Sequence, residues 1–152
     1  MLRAMADCLF CKIVAGEIPA QIVHADARTV AFMDIAPATR GHCLVVSRVH
    51  TDDLLTADPE DVAACALAAQ ELARRAYEDL GAAGVNVLQS SGAPAWQSVF
   101  HLHFHVIPRY VGDPLVLPWR HAEGDPEEIA AAATRLRDGD LSEDPAEPDL
   151  DG

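Results

Sequence analysis

The segment HLHFHVIPR, which begins at His101, alternates histidines with apolar residues. Because successive side chains of a β-strand point to opposite faces, this alternation predicts a strand that carries three histidines on one face. Leu102, Phe104 and Val106 lie on the other face, which is expected to pack on the hydrophobic core. The chain should therefore contain a β-sheet with a buried apolar face on one side and a row of titratable rings on the other.

Period-2 patterns and turn residues predict further strands around this segment. The expected elements are a hairpin (residues 20–35, with its turn at 26–28), a largely buried strand (Cys43–Ser47), another strand (84–90), a loop (91–98) and the histidine strand (99–107), which Pro108 ends.

The middle of the chain predicts a long helix. Asp58 is a good N-cap, and Pro59 suits the first helical position. Apolar residues then recur at spacings of three and four, which gives the helix one apolar face, and Gly81 ends it. A shorter helix is expected between Asp125 and Gly139. Helices combined with paired strands predict an α+β fold with an antiparallel sheet.

The length of 152 residues suits one domain, expected over residues 1–137. Residues 138–152 carry seven acidic and no basic side chains, so they are expected to form a disordered acidic tail. The chain has no basic patch and no apolar run near the ~18 residues of a membrane span, which predicts no binding to nucleic acid or membranes. Asp7 and two cysteines come too early for a secretory signal, which predicts a cytoplasmic protein.

Three interpretations of the histidine row are open. One is a solvated strand edge with chance histidines, although three in register are difficult to explain in that way. A second is a metal site built from His-x-His pairs, but no carboxylate lies beside them in the sequence. In the third, a neutral imidazole attacks phosphorus, because a histidine with a pKa of about 6.5 keeps a free lone pair at neutral pH.

Cys8 and Cys11 form a C-x-x-C pair, which alone is compatible with redox chemistry, metal binding or coincidence. A redox pair normally lies between a strand and a helix, whereas this pair precedes any convincing strand. Metal binding is therefore the preferred interpretation.

The sequence around these motifs resembles the histidine triad (HIT) family. The segment from His101 fits the motif His-φ-His-φ-His-φ-φ, where φ is apolar, within WQSVFHLHFHVIPR. DCLFCKIVAGEIPAQIV and VAFMDIAPATRGHCLVVSRVH resemble the N-terminal segment and the central hairpin of the histidine triad nucleotide-binding branch. The resemblance spans about Asp7 to Arg109. It implies a HIT-like fold, with an antiparallel sheet of about five strands and two helices, and a homodimer.

The resemblance also implies a role for each matching residue. His103 is the expected nucleophile, His105 the expected contact of the α-phosphate, and Asp34 the expected acceptor of both ribose hydroxyls, since a carboxylate can accept two hydrogen bonds from a cis-diol. Ser98 and Gln97 resemble loop residues near the phosphate and the leaving group. The implied catalytic set is His101, His103, His105 and Ser98. The implied walls of the base pocket are Leu9, Phe10, Ile13, Ile18, Phe32 and Ile35.

Two positions depart from the family pattern. Ser90 stands where asparagine is common near the phosphates, which puts that contact in question. Trp96 stands where glycine is usual, close to the leaving-group side. It is expected to narrow the site, to stack on a substrate group, or to be a partly exposed loop side chain.

In zinc-bearing bacterial members of the family, four matching positions bind structural zinc. Tetrahedral zinc takes four N or S ligands, and Cys2His2 is a common set. The resemblance therefore implies structural zinc on Cys8, Cys11, His50 and His101. Two free thiols beside an unmetallated triad are the alternative.

The implied function is a nucleotide-binding hydrolase or transferase that cleaves at an α-phosphate through a covalent nucleotidyl-histidine. A purine nucleoside phosphoramidate or an adenylated amine would be the substrate. One alternative is a dinucleoside-polyphosphate hydrolase or phosphorylase, whose long leaving group Trp96 would obstruct. The other is a nucleotide-binding scaffold with vestigial catalysis.

Overall fold

Five strands form one antiparallel sheet in the order β1-β2-β3-β5-β4. In chain order they are β1 (Ile22–Ala25), β2 (Thr29–Met33), β3 (Cys43–Ser47), β4 (Gly84–Gln89) and β5 (His103–Arg109). The computed structural model describes residues 7–138 and comprises two units, Met1–Leu115 and Val116–Gly152, with the sheet in the first. The predicted antiparallel sheet and α+β class are confirmed.

Three α-helices are described: α1 (Leu9–Val14), α2 (Pro59–Leu80) and α3 (Pro126–Asp138), the last in the second unit. The sequence analysis predicted α2 and α3 but not α1. The expected acidic tail lies outside the described residues, apart from Asp138 at the end of α3. Within residues 7–138, no helix combines the length and hydropathy needed to cross a membrane.

The ends of α2 follow the predicted capping residues. The Asp58 side chain accepts a hydrogen bond from the backbone N–H of Glu60 at 2.8 Å, and Pro59 occupies the first helical position. Gly81 adopts φ = 70°, the left-handed conformation that glycine reaches without steric cost. The helix is therefore specified largely by local sequence.

Both faces of the sheet are buried at its central strands. On one face, α2 packs over β2, β3 and β5, and the residues of this core are Ala31, Cys43, Val45, Cys65, Ala68, Ala69, Leu72, Leu102 and Val106. On the other face, α1 packs through Phe10 and its N-cap Cys8, and the sheet contributes Val30, Phe32, Leu44 and Val46. His103 pairs with Val46 and His105 with Leu44, so these histidines lie on the α1 face.

Strand β5 differs from its prediction at both ends. It begins at His103, so the expectation that His101 belongs to the strand is wrong. Before the strand, the backbone N–H of Leu102 donates to Thr51 O at 2.8 Å, outside the sheet ladder. Strand β5 also continues past Pro108, which pairs with Val85 of β4.

Candidate functional site

Four side chains that can ligate a metal ion, Cys8, Cys11, His50 and His101, meet where α1 approaches the segment before β5. Nδ1 of His101 lies 3.4 Å from Cys8 Sγ and 3.5 Å from Cys11 Sγ, and Nδ1 of His50 lies 3.2 Å from Cys11 Sγ. The two Nδ1 atoms are 3.2 Å apart. The structure thus brings together the four predicted zinc ligands, from positions up to 93 residues apart.

The separations within this Cys/His cluster suit a tetrahedral ion. Zinc with Zn–S bonds of about 2.3 Å and Zn–N bonds of about 2.05 Å holds its donors about 3.3 Å (N to N), about 3.6 Å (N to S) and about 3.8 Å (S to S) apart. Nε2 of His101 donates to the carbonyl oxygen of Ser47 at 2.6 Å, which leaves the Nδ1 lone pair free. Nε2 of His50 lies 3.3 Å from a carboxylate oxygen of Asp52. Such outer hydrogen bonds orient histidine ligands in metal sites.

The protonation states in this cluster also depend on burial. Burial and the neighbouring Cys8 raise the pKa of the Cys11 thiol to about 11, so the thiol is protonated at neutral pH when no cation is close. Burial lowers the pKa of His101 to about 4, so its ring is neutral. A divalent cation would displace the thiol proton, and binding is therefore expected to release protons.

A cavity of about 280 Å³ lies between α1, the sheet and the loop that follows β2. We call it the histidine cavity. Its polar lining consists of Asp34, Ser98, His103 and His105, and its apolar lining includes all six predicted base-pocket residues, Leu9, Phe10, Ile13, Ile18, Phe32 and Ile35. The Phe10 ring packs edge-on against that of His103, with centroids 5.0 Å apart.

The backbone fixes the tautomer of His103. Its Nδ1 lies 2.6 Å from the carbonyl oxygen of His101, an atom that can only accept, so Nδ1 carries the proton. The second ring nitrogen, Nε2, then keeps its lone pair. Burial lowers the pKa of His103, so the ring is neutral at pH 7 and able to act as a nucleophile.

A second hydrogen-bonded chain fixes the tautomer of His105. The backbone N–H of Ala38 donates to His42 Nδ1 at 2.9 Å, so a neutral His42 carries its proton on Nε2. This Nε2 lies 2.9 Å from His105 Nδ1, which accepts, and His105 therefore carries its own proton on Nε2. Burial lowers the pKa of His42, and that of His105 to about 4, so both rings are neutral. His105 is thus a donor, and its ring centroid lies 5.1 Å from that of His103.

Sequence reasoning did not assign His42 to the site. Its ring is buried and lies 3.5 Å from a carboxylate oxygen of Asp34, as well as beside His105. Asp34 also accepts a hydrogen bond from the backbone N–H of Ala36 at 2.8 Å, which orients the carboxylate. No local motif marks His42 as a site residue. His105 is far from it in the sequence, and Asp34 lies at the other end of the loop that follows β2.

Two predicted contacts do not line the histidine cavity. The Gln97 side chain is buried, and its amide bonds inside and outside its own loop: Oε1 accepts from the Gly92 N–H at 2.7 Å, and Nε2 donates to Asp52 O at 2.6 Å. Ser90 is also buried, and neither residue is part of the cavity wall. Gln97 therefore shapes the loop that positions Ser98.

Trp96 has an unusual backbone conformation. With φ = 71° it is the one non-glycine residue of positive φ among residues 7–138, and its side chain is 60% exposed. The left-handed conformation costs a non-glycine residue about 1 to 2 kcal/mol. The family's glycine at this position would adopt it without that cost.

Comparisons with known proteins place this arrangement in a family. The HIT domain family matches residues 15–112. "Protein hit" of Bacillus subtilis is 38% identical over 131 residues, which cover 84% of this chain and 90% of that protein.

Two solved structures share the fold. A Zn-bound histidine triad family protein from Mycobacterium smegmatis is 40% identical, with a TM-score of 0.72, over 90% of this chain and 99% of that one. A histidine triad nucleotide-binding protein from Candida albicans is 28% identical, with a TM-score of 0.77, over 88% and 96% of the two chains. Because the family match spans more than half of the sequence and the Bacillus relative covers most of it, the chain belongs to the HIT family.

Proposed function

We propose that this protein is a cytoplasmic nucleotide hydrolase or transferase that cleaves at the α-phosphate of a purine nucleoside phosphoramidate or an adenylated amine. The observation that carries the proposal is the 2.6 Å contact between His103 Nδ1 and His101 O, which leaves a neutral imidazole with a free Nε2 lone pair. The nucleotide-binding name of the Candida relative supports the substrate class.

The lining of the histidine cavity suits a nucleoside monophosphate. Phe10, Phe32 and the neighbouring isoleucines offer apolar walls for a flat base. Asp34 lies at the same cavity with a carboxylate that can accept both hydroxyls of a ribose. The phosphate would then lie near His103 and His105, where the His105 N–H donates to one of its oxygens.

The reaction would proceed in two displacements. Nε2 of His103 forms a bond to the α-phosphorus while the bond from phosphorus to the amine nitrogen breaks, and the amine leaves after taking up one proton. Water then attacks the phosphorus, the bond to His103 breaks, and the water gives back one proton. The sum is conjugate plus water giving nucleoside monophosphate plus amine, with His103 neutral again.

A neighbouring cavity favours the amine over a polyphosphate as leaving group. This side cavity, of about 340 Å³, shares Leu9, Ser98 and Val99 with the histidine cavity. Asp7 and Asp52 also line it, and their carboxylates would repel a polyphosphate chain. This observation counts against the dinucleoside-polyphosphate alternative.

We further propose that the Cys/His cluster holds structural zinc. The four donor atoms lie within 4.8 Å of one another, and a related protein of known structure is Zn-bound. A bound ion would tie α1 to the segments that carry His50 and His101. No free ligand position remains when four residues coordinate, so the reaction would depend on the imidazoles.

We also propose a homodimer. Leu67 and Tyr77 of α2 are 66% and 51% exposed, and Val87 of the sheet-edge strand β4 is 49% exposed. A second copy could cover these side chains along α2 and β4. Light scattering coupled to gel filtration should give twice the mass of 16.3 kDa, and a monomer at micromolar concentration would contradict the proposal.

The test of the function is a substrate panel followed by product identification. Adenosine 5′-phosphoramidates, guanosine counterparts and dinucleoside polyphosphates would be incubated with the wild-type protein, and products identified by mass. Rapid acid-free quenching should reveal a His103 peptide heavier by one nucleotidyl group. Absence of hydrolysis across the panel, with nucleotide binding intact, would support the scaffold alternative.

A further inference from the structure

A second cavity, of about 290 Å³, lies between α2 and the face of the sheet opposite to the histidine cavity. We call it the α2 cavity. Of its described lining residues only Met33 also lines the histidine cavity, so the two spaces are separate. Its apolar lining consists of Val23, Met33, Cys43, Leu72, Ala76 and Leu80. A largely apolar space of this size is close to the smaller ligand sites of proteins.

Short side chains leave this space open. Ala76 of α2 and Cys43 of β3 are both buried and line the α2 cavity. At Gly41, whose φ is 88°, a Cβ atom would lie 2.5 Å from Cδ1 of Leu80, so a larger residue does not fit there. Apolar side chains that face such a space lack packing partners on one side. An apolar group of matching size would provide them.

Three charged side chains complete the lining, Arg40, Arg75 and Asp79. The Arg75 guanidinium group is already engaged, because Nε donates to Glu71 at 3.1 Å and Nη1 donates to the carbonyl oxygen of Val23 at 3.4 Å. The side chains of Arg40 and Asp79 form no ion pair with each other or with any other residue among residues 7–138. Within the described part of the chain, the α2 cavity thus presents one uncompensated charge of each sign.

This pair of charges separates the classes of ligand that the α2 cavity could hold. A simple carboxylate or a phosphate would pair with Arg40 but would be repelled by Asp79, and a simple amine would meet the reverse situation. A zwitterion suits both side chains, because its carboxylate can accept two hydrogen bonds from the guanidinium group and its ammonium group can donate to Asp79. An apolar side chain on the same molecule would then pack against the apolar lining.

We propose that the α2 cavity is a binding site for a free α-amino acid with an apolar side chain, such as leucine, with Arg40 holding the carboxylate and Asp79 the ammonium group. Both charged side chains are exposed, and exposed ion pairs are weak, so most of the affinity would come from burial of the apolar side chain. The proposal does not rest on the proposed function, because the α2 cavity lies on the other side of the sheet from His103.

The first experiment measures binding to the full-length protein by NMR with three probes of one carbon skeleton. They are L-leucine, 4-methylpentanoate, which lacks the ammonium group, and 3-methylbutylamine, which lacks the carboxylate. L-Leucine should bind about fivefold more tightly than either analogue, which is the upper range for an exposed ion pair. The backbone amide signals of Gly41, Cys43 and Ala76 should shift. Equal affinity for L-leucine and either analogue, no binding at millimolar concentration, or shifts confined to the histidine cavity would overturn the proposal.

The second experiment removes the charges one at a time. Arg40→Gln should abolish the preference for L-leucine over 3-methylbutylamine, and Asp79→Asn should abolish the preference over 4-methylpentanoate. Arg74→Gln is the matched control, because Arg74 is an exposed arginine of α2 outside the cavity lining, and it should leave all three affinities unchanged. Preferences that stay at the wild-type value in Arg40→Gln and Asp79→Asn would overturn the assignment of the two side chains.

The third experiment fills the α2 cavity and leaves its charges in place. Ala76→Met should abolish binding of all three probes, since the flexible methionine side chain would occupy the apolar space. Val23→Phe fills the same space from β1 and replaces Ala76→Met if the melting temperature shows that the helix variant does not fold. Wild-type affinity for L-leucine in a folded cavity-filling variant would overturn the proposal.

Discussion

Nε2 of His42 lies 2.9 Å from Nδ1 of His105, and the Ala38 N–H holds the other nitrogen of His42 as an acceptor. The direction of this series of hydrogen bonds is therefore set by a backbone N–H, which can only donate. Through it His105 presents an N–H, and not a lone pair, beside His103. The two histidines of β5 thus face the cavity in opposite roles, one as acceptor and one as donor.

Replacing His42 should weaken catalysis without removing either histidine of the strand. His42→Ala is expected to lower kcat by less than the ~10²- to 10³-fold that loss of a direct donor costs. His42→Gln should recover part of the loss, since its amide can donate to His105 Nδ1. His24→Ala is the control, because His24 bonds to Asp26 on the exposed hairpin. NMR of the ring nitrogens would report the His105 tautomer, and wild-type kcat in His42→Ala would contradict the assignment.

His103→Ala should fold, bind a nucleoside monophosphate and lose turnover. A loss of ~10⁴-fold corresponds to about 5.5 kcal/mol of barrier. His105→Ala should lose less, because it removes a contact with phosphate and leaves the attacking atom in place. Kinetic measurements report the loss of turnover, and calorimetry with the monophosphate reports whether binding is retained. Greater damage from His105→Ala than from His103→Ala would show that the roles are reversed.

Purified protein should contain about one zinc per chain. Cys8→Ser with Cys11→Ser should abolish this and lower the melting temperature, since the ion would link α1 to two other segments. Cys65→Ala is the matched control: its thiol is buried in the core between α2 and the sheet, away from the cluster, and zinc content should stay constant. The zinc content is measured by mass spectrometry. Zinc-free protein from cells grown in zinc-replete medium would contradict the proposed zinc site.

Stability should fall as the pH drops from about 6.5 to 4. Burial holds the pKa of His105 at about 4 and lowers that of His42, while unfolded histidine titrates near 6.5. In this window the unfolded chain binds more protons than the folded one, so the free energy of unfolding rises with pH and falls on acidification. Melting curves from pH 7.5 to 4.5 test this, and His105→Asn should show a shallower dependence. If the melting temperature of His105→Asn fell as steeply with decreasing pH as that of the wild type, His105 would be excluded as a source of the pH dependence.

Elements with strong local signals could be predicted from the sequence. Strand β3 has the predicted bounds Cys43–Ser47, because its buried residues form a continuous apolar run. Helix α2 has the predicted cap residues Asp58 and Gly81 at its ends. The C-x-x-C pair and the histidine alternation likewise led to the cluster and to the cavity.

What could not be predicted depends on contacts distant in sequence. Helix α1 has only six residues, too few to be stable alone, and it forms where Phe10 packs on the sheet. His42 comes next to His105 only when β3 pairs with β5, so its role could not be predicted from the local sequence. The orientation of Gln97 is set by Asp52 O, which no local pattern reveals.

His101 belongs to both halves of the site at once: its ring joins the Cys/His cluster, and its carbonyl oxygen holds the proton of His103. If the proposed zinc occupies the cluster, its binding would be coupled through this one residue to the alignment of the proposed nucleophile His103. On the proposed function, a preparation with partial zinc content would then be a mixture of two forms of the protein that differ in rate constant. Specific activity should therefore be normalised to zinc content as well as to protein. Variation in activity between batches would then reflect the zinc content and not damage to the histidine rings.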